Sequence, residues 1–126
     1  MEERISLAWE GSGCVLTIKG RIGKADMRRL ALRQTGIGQG VHPTHVIVDL
    51  LGADYSLISP RDVSLVVSHT FIDTSENPGM KLAIVATDPH VVRMSEYYLS
   101  TMAELDMRWE ARMFDSMADA RAWVGV

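Results

Sequence analysis

Twice in this chain a short apolar run is followed, a few residues on, by a polar residue and a proline. His45-Val46-Ile47-Val48-Asp49-Leu50 leads to Ser59-Pro60, and Lys81-Leu82-Ala83-Ile84-Val85 leads to Asp88-Pro89. Runs of this length, rich in Val and Ile, suit strands buried on both faces of a parallel sheet. Serine and aspartate cap helix N-termini through their side-chain oxygens. Proline fits the first helical position, where an N–H would have no intrahelical partner. Each pair is therefore a strand feeding a helix, and parallel strands need such a crossover to be joined. The cap also settles an ambiguity. Val63 to Ile72 is β-branched enough for a strand, but the Val63/Val66/Val67/Thr70 spacing behind Ser59 predicts a helix.

The rest of the chain completes the pattern. Ile5 to Trp9 and Cys14 to Lys19 read as strands joined by Glu10-Gly11-Ser12-Gly13, short enough for a hairpin. In the second strand Leu16 and Ile18 should point to one face and Val15 and Thr17 to the other. A helix is expected from Lys24 to Thr35, ended by Gly36. Val91, Met94, Tyr98, Met102 and Leu105 recur at helical spacing after Pro89. Arg108 to Phe114 reads as the last strand, and Asp115 as the cap of a final helix through Trp123. The predicted order is β-β-α-β-α-β-α-β-α. It describes one α/β domain over residues 1–126, with a mixed, mainly parallel five-stranded sheet and an N-terminal antiparallel hairpin.

Composition narrows the function. The 126 residues carry a net charge of −3, and no run approaches the apolar length that spans a bilayer, so stable membrane insertion is not expected. One cysteine, Cys14, excludes an intramolecular disulfide. The N-terminal residues lack a secretory pattern, so the cytoplasm is the expected location. Residues 1–40 hold seven basic against four acidic side chains, and the remainder six against twelve. A domain this acidic, with few aromatics, is a poor nucleic-acid binder.

Local motifs offer little catalytic chemistry. His42 and His45 are spaced for a metal on a turn, but no cysteine or carboxylate nearby completes a ligand set, so they read as loop histidines and no metal or cofactor is expected. Gly36-Ile37-Gly38-Gln39-Gly40 follows a helix and precedes a strand, the reverse of a phosphate-binding loop. Asp88, His90 and Arg93 lie at a strand's carboxyl end, where open α/β sheets bind ligands, and form a candidate ligand edge. The chain has no nucleophile elbow, and the prediction is a non-enzyme. Binding is better supported. Leu65, Phe71 and Ile72 give the helix after Pro60 a second apolar side, which must meet a neighbour, a partner chain or an apolar ligand. Lys24, Arg28, Arg29 and Arg33 could meet anionic lipid or an acidic partner, although they spread around their helix.

Three segments resemble the STAS, or SpoIIAA-like, superfamily of anti-sigma-factor antagonists and the cytoplasmic regions of sulfate transporters. They are Leu16-Thr17-Ile18-Lys19-Gly20-Arg21-Ile22, then Val46 through Asp54 leading to the serine-initiated helix, and Ala118-Asp119-Ala120-Arg121-Ala122-Trp123. The resemblance implies a SpoIIAA-like fold and a regulatory protein-interaction module, and the second apolar side of the helix after Pro60, with Leu65, Phe71 and Ile72, is the surface expected to serve any homodimer. It also implies a phosphoserine switch at the start of the second helix, for which Ser59, Ser56 and Asp54 are the candidates. The sequence departs from the family there. The positions of the Asp-Ser-Ser/Thr-Gly motif fall on Leu57-Ile58-Ser59-Pro60, so only one hydroxyl survives, and an N-cap role already accounts for Ser59. Relatives of this fold include the CRAL-TRIO lipid-binding proteins, which makes a small apolar-ligand or lipid-binding protein the alternative reading.

Overall fold

The computed structural model describes residues 4–29, 43–67, 79–105 and 108–125. Five strands form one sheet in the order β1-β2-β3-β4-β5: β1 (Ile5–Glu10), β2 (Gly13–Arg21), β3 (His45–Asp54), β4 (Lys81–Val85) and β5 (Glu110–Phe114). β1 and β2 are antiparallel, closed by Glu10 opposite Gly13, and Gly11 between them takes the left-handed conformation that a two-residue hairpin turn demands. The pairs β2/β3, β3/β4 and β4/β5 are all parallel. Helices α1 (24–29) and α2 (60–67), then α3 (Pro89–Glu104) and α4 (Met117–Val124), follow the four parallel strands in turn. The expected continuations of α1 to Thr35 and α2 to Ile72 lie outside the described residues, as do Phe71, Ile72 and the segment 36–42. None of the described helices is long and apolar enough to cross a membrane.

Strand order equals chain order, so each crossover moves one strand in the same direction. Crossovers of one hand then stack their helices on one face of the sheet. That face carries the larger core: Leu16, Ile18, Val46, Val48, Leu82 and Ile84 meet Met27 of α1, Val63 and Val66 of α2, and Val91, Met94 and Tyr98 of α3. No crossover follows β5, and α4 folds back over the opposite face. There Ala120, Trp123 and Val124 cover Val15, Ile47, Ala83 and Val85. The split of β2 into a Leu16/Ile18 side and a Val15 side follows from the two-residue period of a strand buried on both faces.

Several boundaries differ from expectation: β1 ends at Glu10 and not Trp9, and β2 runs from Gly13 to Arg21 and not from Cys14 to Lys19. β3 runs on through Leu51-Gly52-Ala53 to Asp54, because Lys19, Gly20 and Arg21 of β2 pair with Gly52, Ala53 and Asp54 beyond an irregularity between Thr17 and Lys19. The last strand begins at Glu110, not Arg108. The cap of α4 is Ser116 and not Asp115: its hydroxyl accepts the Asp119 N–H at 3.2 Å.

Candidate functional site

Parallel strands that each feed a helix bring all the helix N-termini to one edge of the sheet. At that carboxyl edge the β3–α2 connection is tied by three polar devices. Asp54 ends β3, and its Oδ1 accepts the Ser56 N–H at 2.9 Å, while Arg21 Nε stands 3.7 Å from its Oδ2. The Ser56 backbone hydrogen bond, helped by the serine side chain and by Arg21, holds the Asp54 carboxyl below its ordinary value. Next, the Ile58 N–H donates to Tyr55 O at 2.8 Å, closing a turn. Last, the Ser59 N–H and hydroxyl both donate to Oδ2 of Asp62, at 3.0 and 3.1 Å, and the Asp62 N–H returns to Ser59 O. Here the acid at the third helical position reaches back to the cap residue, as in a capping box.

The structure thus gathers Asp54, Ser56 and Ser59 in one connection and gives two of them conformational jobs. A phosphate on Ser59 would stand against the Asp62 carboxylate that its hydroxyl now touches, and like charges oppose that placement. Asp88, of the proposed ligand edge, caps α3: its Oδ2 accepts the N–H groups of His90 and Val91 at 3.1 and 3.2 Å. His90 Nε2 lies 3.1 Å from Ile58 O. A carbonyl only accepts, so this ring nitrogen carries the proton, and the bond fastens α3 to the β3–α2 connection. Arg93 is exposed one turn further along α3.

A concavity of about 580 Å³ lies at the ends of β4 and β5, beside Ala86, Thr87, Phe114 and Asp115, and two others adjoin the β3–α2 connection. One is a half-open cavity of about 50 Å³ against the helix-covered core, lined by Ile18, Val48, Tyr55, Val66, Met94 and Tyr98 among others. Burial there pushes the Tyr55 phenol above its ordinary value. The other is a surface groove of about 380 Å³ between α1 and α2, lined by Lys24, Met27, Arg28, Arg61, Asp62, Ser64 and Leu65. Lys24 and Arg28 are four apart in chain and so share one side of α1, while Arg61 approaches from the start of α2. Asp62 is the acid in this lining, and it is engaged with Ser59. Leu65 is 39% exposed, and Leu57, in the preceding connection, 58%. Of the three residues proposed for a contact surface, Leu65 lies in this groove.

Arg61 was not singled out by sequence, because its place opposite Lys24 and Arg28 exists only once two crossovers have packed side by side. His45 is likewise misread as a loop histidine. It is the first residue of β3, 2% exposed, and its ring fills the space over Gly13, where a Cβ would overlap the imidazole. Its Nδ1 meets Thr44 Oγ1 at 3.1 Å, and its Nε2 is buried with no hydrogen-bond partner among the described residues. That burial lowers the pKa of His45, and the nearby Glu10 partly opposes the shift. Gly13, expected in the hairpin connection, is the first residue of β2 and has no side chain to occupy its side of the sheet.

No family model matches the chain, and no curated protein matches it. A solved structure does: an uncharacterized protein of the DUF3478 family, with a SpoIIAA-like fold, from Shewanella loihica PV-4. The two superpose with a TM-score of 0.55 at 17% sequence identity, over 95% of this chain and 91% of that one. Together with the five-stranded mixed sheet and its antiparallel opening hairpin, this likeness shows that the chain has a SpoIIAA-like fold.

Proposed function

We propose that the chain is a non-catalytic protein-interaction module, and that it takes an acidic segment of a partner protein into the groove between α1 and α2. The observation that carries this reading is the make-up of the groove: Lys24, Arg28 and Arg61 surround an apolar floor of Met27 and Leu65, and the acid among them is engaged in helix capping. Charged rims steer a complementary partner and an apolar centre supplies affinity.

Two further features support binding over catalysis. The strand order never reverses, so the sheet has no switch point at which helices diverge to open a cofactor crevice. The acid–base candidates at the carboxyl edge, Asp88, His90 and Ser59, are engaged with main-chain groups or a neighbouring carboxylate. The half-open cavity beside Tyr55 is about a third of the roughly 150 Å³ that admits a benzene ring, which favours the larger surface groove over a lipid site there.

Affinity capture from host extract, with a reagent that couples amines to carboxylates, tests the groove. The expected result is a partner whose Asp or Glu side chains couple to Lys24, and whose recovery falls at least about tenfold, or about 1.4 kcal/mol, with Arg28→Glu/Arg61→Glu or Leu65→Asp. Recovery of the same proteins in the same amount by folded variants would assign the contact to another surface.

A further inference from the structure

We propose that the open edge of β1 pairs with β1 of a second copy of the chain, antiparallel and centred on Leu7, so that one sheet runs through both copies. Among the described residues β1 and β5 are the two unpaired edges of the sheet, and a bare edge is a template for another strand unless charge, proline or a bulge blunts it. β5 is blunted: Glu110 and Arg112, both exposed, stand among its five residues. β1 is not. Between its ends it reads Ser6-Leu7-Ala8-Trp9, with no charge and no proline, and Trp9 is 49% exposed.

The main chain fixes the register. The Lys19 N–H donates to Arg4 O at 2.9 Å, so Arg4 and, by alternation, Ser6, Ala8 and Glu10 turn their N–H and C=O groups toward β2. Ile5, Leu7 and Trp9 turn theirs outward. In an antiparallel pair, facing residues exchange both hydrogen bonds and share a face of the sheet. Centring on Leu7 sets Leu7 against Leu7 and Ile5 against Trp9, so each outward N–H and C=O meets its counterpart. A slip of two residues leaves Ile5 or Trp9 unmatched.

The side chains agree with this register. Ile5, Leu7 and Trp9 continue the apolar, helix-covered face across the junction, and Ser6 faces Ala8 on the other. Arg4 comes opposite Glu10 at each end, a pairing of unlike charges. Both are also bound within their own chain, Arg4 to Asp26 at 3.1 Å and Glu10 to Arg121 at 3.0 Å, yet their side chains stay 56% and 39% exposed to a neighbour. This self-complementarity selects a second copy over a foreign strand.

Two measurements on the full chain test the proposal. Light scattering across a dilution series should give twice the 14.0 kDa chain mass at high concentration, and Leu7→Pro, which deletes an N–H that β2 does not use, should shift the mass to the single chain. Because Leu7 also packs on the core, a second variant carries the test if Leu7→Pro does not fold. Ser6→Cys/Ala8→Cys places exposed thiols directly opposite across the junction. Mild oxidation with diamide should join two chains in the double variant and far less in either single one, with Cys14 buried out of reach. A single-chain mass at every concentration would overturn the proposal. So would a dimer in which the double variant does not cross-link, or one in which the single variants cross-link equally well.

Discussion

Gly13 and His45 show how one position can set the chemistry of another. The imidazole lies where a Gly13 side chain would be, so the glycine makes room for a ring and the ring closes the gap left by the glycine. Gly13→Ala is expected to cost about 2 kcal/mol in chemical denaturation, as overpacking does. In a His45→Ala background most of that cost should vanish, and an additive double variant would mean that the two do not share the space. The same burial predicts a pH effect. His45 has a native pKa below its ordinary 6.5, so between 6.5 and that lowered value the unfolded chain holds a proton which the native chain lacks. Stability should therefore be fully present above pH 6.5, decline as pH falls through this interval, and level off once the native ring is charged. Denaturation midpoints against pH should show this limb, and His45→Gln should remove it.

At the scale of elements, most of the fold was legible, because the signals at the starts of α2 and α3 are local: Asp88 caps α3 through its side chain as expected, whereas at Ser59-Pro60 the helix starts where expected but Asp62 makes the contact, accepting the Ser59 N–H and hydroxyl. The ends were less so. Leu51-Gly52-Ala53-Asp54 contains poor strand formers, and it is extended because the far end of β2 supplies its partners. That choice belongs to the sheet and not to the segment. α4 is the element whose hold depends most on a few contacts. Trp123 stands 5.5 Å from the Phe114 ring, Lys81 Nζ lies 5.3 Å from the Trp123 ring centroid, and Arg121 reaches Glu10. Trp123→Ala should cost about 2 to 3 kcal/mol, toward the low end for a large aromatic because the ring is half-buried. Amide exchange should quicken in α4 well before it does in β3 or β4, and uniform acceleration would refute this hierarchy.

For the whole molecule, the sequence told the layers but not the surface. Alternation within β2 and the helical spacing of α3 specify which side chains go inward, and the structure obeys them. The α1–α2 groove could not be read the same way: Lys24 and Arg28 come from one crossover and Arg61 and Leu65 from the next, and only tertiary packing makes them neighbours. The edges of the sheet differ for a reason that is visible in sequence once strand order is known, since charge guards β5 and not β1.

The placement of α4 bears on how the chain is made. A ribosome that has delivered β5 has released every strand and the three helices of one layer, while Val15, Ile47, Ala83 and Val85 still face water. Among the described residues α4, with Phe114 of β5, shields them, so a chain that ends just short of Met117 leaves a greasy sheet surface without its cover, and chaperones would find it there.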